Sequence, residues 1–214
     1  MENSKTMWYT VRQGGSHVSI LIAVPLSYAV NEEELSVRRR EKAARFSKEE
    51  DRKRCLCAGV ALDLALQTVG LREKTATIAV NEHGKPYLSE HPEWHFSLSH
   101  SGNWAVCALS DAPIGVDVEQ YRDKEFLSLA DRFFTREEYE RLRQCPKSER
   151  ETLFFRLWTE KESLLKAAGT GLSGLPQCEA LIGDYAFRSY PLDGYALTVC
   201  TTGEFPQRIT FCLR

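Results

Sequence analysis

The sequence has little net charge of either sign, no long apolar run and no closely paired cysteines. The net charge over 214 residues is −2, so the composition gives no reason to expect nucleic-acid binding. The most apolar stretch, residues 18–30, contains Pro25 and is too short to span a bilayer. Seven cysteines occur without a CxxC spacing, which disfavours a disulfide framework or a zinc site. We therefore expect a cytoplasmic protein with reduced thiols and no membrane segment.

The chain instead has an ordinary globular composition, with 43% hydrophobic and 27% charged residues, which argues against disorder. Alternating or β-branched segments predict strands, and capping signals followed by helical periodicity predict helices. The predicted strands are residues 18–24, 75–80, 95–99, 104–110 and 114–119, with two or three more after residue 186. The predicted helices are residues 31–45, 47–70, 124–133, 136–142 and 149–168. Strands and helices that mix without strict alternation indicate an α+β fold.

Three local signals refine these assignments. Ser47 and Glu50 form a capping-box pattern, and so do Thr135 and Glu138. The turn at residues 111–113 predicts that the strands on either side of it form a hairpin. These signals predict where two helices begin and which two strands pair.

Three acidic residues are the strongest candidates for chemistry. Asp117 and Glu119 lie two apart on a predicted strand, so their side chains share one face while apolar residues take the other. Carboxylates inside a fold or cleft need a compensating cation. Glu162 lies on a predicted helix, one turn before Lys166. Carboxylates from one strand and one helix would form the all-oxygen site that Mg²⁺ prefers beside phosphate groups.

The same residues also have structural interpretations. Glu162 and Lys166 could form an ordinary ion pair along the helix, and Lys161, inside the apolar stripe, could extend its ammonium group to water. The basic cluster within residues 38–54 could be a solvated helix face or a phosphate site, since arginine and lysine suit phosphate. A lone histidine such as His100 is more often structural than functional.

The ordered motifs of this chain resemble those of the 4′-phosphopantetheinyl transferases of the Sfp type, the larger and monomeric class. They are GKP at residues 84–86, FSLSHS at 96–101, IGVDVE at 114–119, FF at 133–134, WTEKESLLK at 158–166 and GTGL at 169–172. Each motif alone is modest, but all of them in this order and spacing are specific. The resemblance extends from about Arg39 to Leu172.

The resemblance implies an activity and a fold. The activity is transfer of the phosphopantetheine arm of coenzyme A, the substrate, to a serine of an apo acyl or peptidyl carrier protein, with release of adenosine 3′,5′-bisphosphate. The fold is two similar α/β subdomains related by a pseudo-twofold axis, with the site in the cleft between them. We expect the division at residues 1–111 and 112–214. The resemblance further implies a monomer that uses Mg²⁺, with Mn²⁺ as an alternative.

The resemblance also assigns residue roles by position. Asp117, Glu119 and Glu162 match the metal ligands, and Lys166 is expected near the pyrophosphate as part of the catalytic set with Asp117 and Glu162. Glu162 is the expected base that takes the proton of the acceptor serine, and a water on the metal is the alternative. The residues expected to contact coenzyme A are Arg39, Lys42, Arg54, Lys85, Pro86, Ser99, His100, Lys161 and Lys166.

One position departs from the family pattern. Cys55 stands where some members place a hydroxyl residue beside the 3′-phosphate of coenzyme A, and a thiol is a weak donor. Arg54 is the residue that could replace this contact. The apolar residues between the two metal-site motifs are expected mainly in the core, with some lining a groove for the carrier protein. They are Phe126, Leu127, Leu129, Phe133, Phe134 and Tyr139.

Two other functions are compatible with parts of this pattern. A nucleotide- or polyanion-binding module without turnover would keep the basic cluster, but it would not need three acids beside a lysine. A Mg²⁺-dependent phosphohydrolase would share the acids, but it would not need a protein acceptor. The transferase is the interpretation that uses both groups of residues.

Overall fold

A computed structural model describes residues 17–122, 126–171 and 181–212. The elements form two similar blocks, each with one strand, then helices and then further strands. The strands are β1 (Ser19–Pro25), β2 (Ile78–Val80), β3 (Pro86–Leu88), β4 (His95–Ser101), β5 (Trp104–Ser110), β6 (Ile114–Gln120), β7 (Ala186–Ser189), β8 (Tyr195–Thr201) and β9 (Ile209–Phe211). The helices are α1 (Val37–Ala44), α2 (Glu49–Gln67), α3 (Phe126–Phe133), α4 (Arg136–Gln144) and α5 (Lys147–Ala168). None of the helices in these segments is long and apolar enough to cross a membrane.

The two halves of the chain repeat one strand order. In the first half, β1 pairs antiparallel with β5, which also pairs with β4. In the second half, β6 pairs antiparallel with β8, which also pairs with β7. In both halves the helices lie between the first strand and the final hairpin of the half. The prediction of an α+β fold with two similar sheet-containing halves is therefore confirmed.

Residue alternation along the strands builds four layers. On β1, Ile22 and Val24 pack against α2, whereas Leu21 and Ala23 pack against the sheet of the second half. Val116, together with its neighbours on the same face of β6, contacts that second face of β1 through the shared core. Because side chains alternate along a strand, the other face of β6 is left for α5. The order of layers is thus α2, first sheet, second sheet and α5.

The C-terminal strand returns to the first sheet. Residues of β9 pair in parallel with β1, with Leu21 opposite Ile209. The Cys212 N–H then donates to the Ala23 carbonyl at 2.9 Å. The sheet of the first half therefore has the order β4-β5-β1-β9, and its last strand comes from the end of the chain.

The edge of β6 is covered by serine side chains of β4. Hydroxyl oxygens at alternate positions of β4 accept hydrogen bonds from alternate backbone N–H groups of β6. The donor–acceptor distances are 3.1 Å from Val116 to Ser97, 3.3 Å from Val118 to Ser99 and 3.1 Å from Gln120 to Ser101. These side chains satisfy donors that an edge strand otherwise leaves open. We call this set of contacts the serine ladder.

The predicted hairpin around residues 111–113 is wrong. The hairpin that forms is β4–β5, which turns at Gly102 with Ser101 opposite Trp104. The turn after β5 instead carries the chain from the first sheet to the second, where β6 pairs with β8. A short turn fits either outcome, and here the serine ladder places β6 beside β4 without joining the two sheets.

Two predicted helices also need correction. The predicted helix at residues 31–45 is a short 3-10 turn, Glu32–Glu34, followed by α1, because Ser36 accepts from the Arg39 N–H and begins a new helix. The predicted cap at Ser47 is wrong: α2 has Lys48 at its N-cap, without a side-chain bond. The capping box at Thr135 is confirmed.

The predicted strand at residues 75–80 is shorter than expected. The N–H groups of Thr75 and Ala76 bond back to the Arg72 carbonyl, which keeps them in a turn. Only Ile78–Val80 pairs with β3. Local turn bonds therefore compete with the strand over the first residues of this segment.

Gly115→Ala should destabilise the protein. A Cβ at this position would lie 1.9 Å from the Ser163 carbonyl oxygen and 2.5 Å from the Ala167 nitrogen, both in the backbone of α5. Backbone atoms cannot turn away as a flexible side chain can, so α5 must shift. We expect a loss of about 3 kcal/mol or more in the free energy of unfolding, measured by urea denaturation.

Gly70→Ala is the control for this substitution. Gly70 has a φ of +78° but nothing within 4 Å of an added Cβ, so only backbone strain of about 1 kcal/mol is expected. Equal losses for the two variants would show that α5 does not rest on β6 at Gly115.

Candidate functional site

A cavity of about 530 Å³ lies where the two halves meet. Its walls come from α1, β3 and β4 on one side and from β6 and α5 on the other. The predicted site residues that line it are Arg39, Lys42, Lys85, Pro86, Ser99, His100, Asp117, Glu119, Glu162 and Lys166. The structure therefore brings together the basic residues of the first half and the acids of the second.

Asp117 is the most enclosed acid of this cavity, with 3% of its surface exposed. Its Oδ1 accepts from the Ser99 hydroxyl at 2.8 Å and from the Lys166 ammonium at 2.6 Å. Its Oδ2 is buried and has no hydrogen-bond partner among the described residues. An unpaired carboxylate oxygen in a buried position is an available acceptor for a cation or a donor.

Glu119 lies on the same face of β6. Its Oε2 accepts from the Ser101 hydroxyl at 2.9 Å and from the Arg122 guanidinium at 3.1 Å. Burial, and then the negative charge of Asp117, raise the pKa of Glu119 above its ordinary value. The acid pair predicted from the alternation of the strand is therefore present and mutually repulsive.

Glu162 faces the same acids from α5. Burial raises the pKa of this carboxyl group, the charges of Asp117 and Glu119 raise it further, and Lys166 acts in the opposite direction. A carboxyl group with a raised pKa is better matched to proton transfer near neutral pH.

The acids are suited to a hard cation only in part. Across residues 17–122, 126–171 and 181–212, no group of three or more carboxylate, histidine or cysteine side chains is arranged to hold a metal ion. Lys166 already occupies one oxygen of Asp117, whereas Oδ2 remains open. Asp117 and Glu119 thus fit two oxygen ligands of Mg²⁺, and Glu162 would need to approach them.

The opposite wall of the cavity is basic. Arg39 and Lys42 come from α1, and His100 comes from the end of β4. Burial lowers the pKa of His100, and the nearby positive charges of Lys166 and Arg54 lower it further. A bound anion would favour the protonated imidazole, so this wall is suited to a phosphate group.

Lys85 lies beneath the end of α5. Its Nζ donates to the Ala167 carbonyl at 2.8 Å, which is one of the last carbonyls of the helix. Burial lowers the pKa of this ammonium to about 8. Lys85 is therefore held between the two halves, and a nearby anion would stabilise its protonated form.

Asn81 does not line the cavity but holds the turn of Lys85, which does, and the sequence prediction missed it. Its Oδ1 accepts from the N–H groups of His83 and Lys85 at 3.0 and 2.8 Å, which shapes the turn before β3. Its Nδ2 donates to the Gly169 carbonyl at 2.8 Å. Asn at the first position of a turn that contains Gly84 is a known turn signal, but its bond to Gly169, just after α5, has no local signal.

Two predicted residues do not line the cavity. Lys161 is buried and its ammonium contacts Glu138 at 2.8 Å, near the start of α4. Arg54 donates to the Gly102 carbonyl at 3.0 Å and pairs with Asp51. Both side chains are occupied by contacts within the protein.

The remaining sequence expectations concern packing. Cys55 lines the cavity and is buried. The apolar residues between the two acid motifs, including Phe126 and Phe134, join an aromatic cluster with Phe154 and Trp158. Trp158 also lines the cavity, so this cluster reaches the site.

Known proteins resemble the chain along nearly its whole length. Residues 113–200 match the 4′-phosphopantetheinyl transferase superfamily, and residues 26–112 match the family described as 4′-phosphopantetheinyl transferase, N-terminal. The chain is 34% identical over 208 residues to 4′-phosphopantetheinyl transferase Sfp of Bacillus subtilis (strain 168), covering 87% of this chain and 92% of that protein. It is 33% identical over 195 residues to 4′-phosphopantetheinyl transferase ffp of Bacillus subtilis, covering 82% and 86%. A further 4′-phosphopantetheinyl transferase of Bacillus subtilis is 39% identical over 140 residues, 65% of this chain and 62% of that protein.

Asn81→Ala should loosen the turn that holds Lys85. The change removes two acceptor contacts within the turn and one donor contact to α5, so we expect a loss of roughly 2 kcal/mol in stability. Hydrogen exchange should show faster exchange of the Lys85 amide. Asn31→Ala is the matched control, since Asn31 accepts one bond in a comparable turn and does not line the cavity. Unchanged protection of the Lys85 amide in Asn81→Ala would contradict the assigned role.

Proposed function

The chain belongs to the 4′-phosphopantetheinyl transferase family, and we propose that it transfers the 4′-phosphopantetheine group of coenzyme A to a serine of an apo acyl or peptidyl carrier protein. Adenosine 3′,5′-bisphosphate is the other product. The observation that carries this proposal is the single cavity lined by the acid pair of β6, by Lys166 and by the basic residues of the first half. The proposal includes action as a monomer in the cytoplasm.

The two walls of the cavity divide the recognition of coenzyme A. Residues 1–111 supply Arg39, Lys42 and His100, a basic set suited to the 3′-phosphate. Residues 112–214 supply the acids and Lys166, which lie where the pyrophosphate would bind.

The acid pair would hold Mg²⁺, with Glu162 as the third ligand. The buried, unpartnered Oδ2 of Asp117 supports this assignment. When bound, the ion would neutralise charge on the pyrophosphate. Lys166 would then exchange its contact with Asp117 for one with the pyrophosphate.

The transfer step moves one phosphoryl-linked group and one proton. A bond forms between the serine oxygen and the β-phosphorus, and the bond from that phosphorus to the bridging oxygen breaks. The electron pair leaves with adenosine 3′,5′-bisphosphate, where Lys166 stabilises the developing charge. Glu162 takes the serine proton, directly or through a water, a role supported by its position on α5 facing the acid pair. A carboxylate cannot serve fully as metal ligand and as base at once, so a water on the metal is the competing base.

Intact mass measurement of an apo carrier protein tests the proposed transfer. Incubation with coenzyme A, Mg²⁺ and the wild-type protein should add one phosphopantetheine group to the carrier. Asp117→Ala should abolish the adduct because it removes the central acid of the cavity. Glu90→Ala, which changes an exposed acid whose contact is with Thr77, should retain the adduct.

The products distinguish the transferase from the two other functions. A phosphohydrolase would cleave coenzyme A at the same rate without a carrier, and a binding module would leave both substrates intact. Either result, with no adduct on any carrier tested, would overturn the proposal.

Glu162→Gln tests the proposed base. Loss of general base catalysis should lower turnover by about 10²- to 10⁴-fold. In the wild type, turnover should rise as pH increases until Glu162 has lost its proton, because the group must lose its proton before it can accept one. The variant should lack this rise. The measurement is the pH profile of kcat at saturating Mg²⁺.

Glu160→Gln is the matched control on the same helix. Glu160 pairs with Arg156 at 3.0 Å and does not line the cavity, so its change should leave the pH profile intact. Substantial turnover of Glu162→Gln with the wild-type profile would remove Glu162 as the base.

A further inference from the structure

Glu73 has a buried carboxylate that lies outside the cavity. Its hydrogen-bond donors, Ser36 and Arg39, are directed at this carboxylate. Only 1% of its surface is exposed, so its charge needs compensation within the protein. Its Oε2 accepts from the Ser36 N–H at 2.7 Å, and its Oε1 accepts from the Ser36 hydroxyl at 2.9 Å and from Arg39 Nε at 3.3 Å. Its own N–H donates to Asp63 Oδ1 at 2.9 Å. Glu73 is therefore fixed through both its backbone N–H group and its side chain.

Arg39, the cationic partner of Glu73, is confined along its length. Its aliphatic carbons lie against α2 at Gly59, where an added Cβ would be 3.0 Å from Cγ. Its side chain is 11% exposed. The ion pair engages Nε, and within residues 17–122, 126–171 and 181–212 no protein acceptor engages the two terminal nitrogens. These nitrogens are left to meet an anion in the cavity.

Engagement of Nε determines how the guanidinium is presented. The guanidinium is planar, so a contact at Nε restricts the plane in which the terminal nitrogens lie, and those nitrogens form the fork that binds phosphate in a bidentate way. Arg39 also borders a second, smaller cavity of about 70 Å³, which Glu73 lines as well. Without the contact at Nε, the guanidinium has room to turn away from the main cavity.

We propose that Glu73 is a positioning residue that holds Arg39 with its terminal nitrogens directed at the 3′-phosphate of coenzyme A. The inference rests on the proposed function, which supplies the identity of the anion. Glu73 does not touch the substrate; it acts through Arg39. The outcome is specificity for coenzyme A over dephospho-coenzyme A, which lacks the 3′-phosphate.

A purely structural role for Glu73 makes a different prediction. Glu73 also holds Ser36, which caps α1 by accepting from the Arg39 N–H at 3.2 Å. If stabilisation of this helix start were its whole role, loss of Glu73 would lower stability and weaken the binding of coenzyme A and of dephospho-coenzyme A alike. Comparing the binding of these two ligands therefore distinguishes the two roles.

Glu73→Gln is the test, because glutamine keeps the shape and an acceptor for Ser36 but removes the charge. Isothermal titration calorimetry should show coenzyme A bound about tenfold more weakly, the size of one charge-assisted hydrogen bond, and dephospho-coenzyme A bound as before. Arg39→Ala should lose the same discrimination, and adding Glu73→Gln to it should cause no further loss. Ser36→Ala, the matched control, should lower Tm yet keep the discrimination.

A second readout does not depend on the ligand. In the free wild-type protein, the NMR signal of the Arg39 Nε–H should exchange slowly with solvent because it is buried in the ion pair. In Glu73→Gln this protection should fall.

Arg39→Lys, which lacks the fork, should show the same weakened discrimination as Arg39→Ala.

The possible failures are distinguishable. The positioning role is overturned if Glu73→Gln weakens the binding of coenzyme A and of dephospho-coenzyme A equally. It is also overturned if Glu73→Gln still weakens coenzyme A binding fully in the Arg39→Ala background. In both cases, carrier modification by the wild type still supports the transferase. Retained Nε–H protection in Glu73→Gln also overturns the positioning role. A wild-type chain that modifies no carrier overturns the proposed function independently of these binding results.

Discussion

The serine ladder between β4 and β6 is the constraint on which the rest of the structure depends. Backbone N–H groups at an edge must find acceptors, and here side-chain hydroxyls replace a neighbouring strand. The two strands therefore keep a fixed register while belonging to separate sheets. Since a hydroxyl donates as well as accepts, Ser99 and Ser101 also donate to Asp117 and Glu119. The contact that joins the halves thus also orients the acids.

The register of β6 determines what α5 meets. Gly115 shares a face with Asp117 and Glu119, and its missing side chain lets the backbone of α5 approach β6 closely. Within the same stretch of α5, Lys166 reaches Asp117 at 2.6 Å. A side chain at position 115 would lift the helix and separate these groups. The glycine and the acid pair therefore act as one geometrical unit, because the position of α5 and the contact of its lysine both follow from the same strand face.

Local sequence patterns predicted most of the elements and one wall of the cavity. Strand alternation placed Asp117 and Glu119 on one face, and the order of motifs indicated that basic residues from the first half meet them. Sheet membership was not predictable in the same way, because the turn before β6 is compatible with a hairpin or a crossover. Asn81 and Glu73 were missed for a related reason: their partners lie 88 and 34 residues away, at Gly169 and Arg39. Lys161 lies in the apolar stripe as expected, but its charge is directed to Glu138.

The cations of the cavity are held in two different ways, and this difference separates its two ends. Arg39 is held from behind by Glu73, a buried partner that does not line the main cavity. A phosphate can bind its free nitrogens without displacing that partner, so this end is preorganised. Lys166 instead pairs with Asp117, which does line the cavity. For an anion to bind Lys166, the lysine must exchange its contact with Asp117 for one with the anion. In the proposed function, the end that meets the nucleotide can therefore bind first, while the end assigned to the chemistry rearranges around the bound ligand.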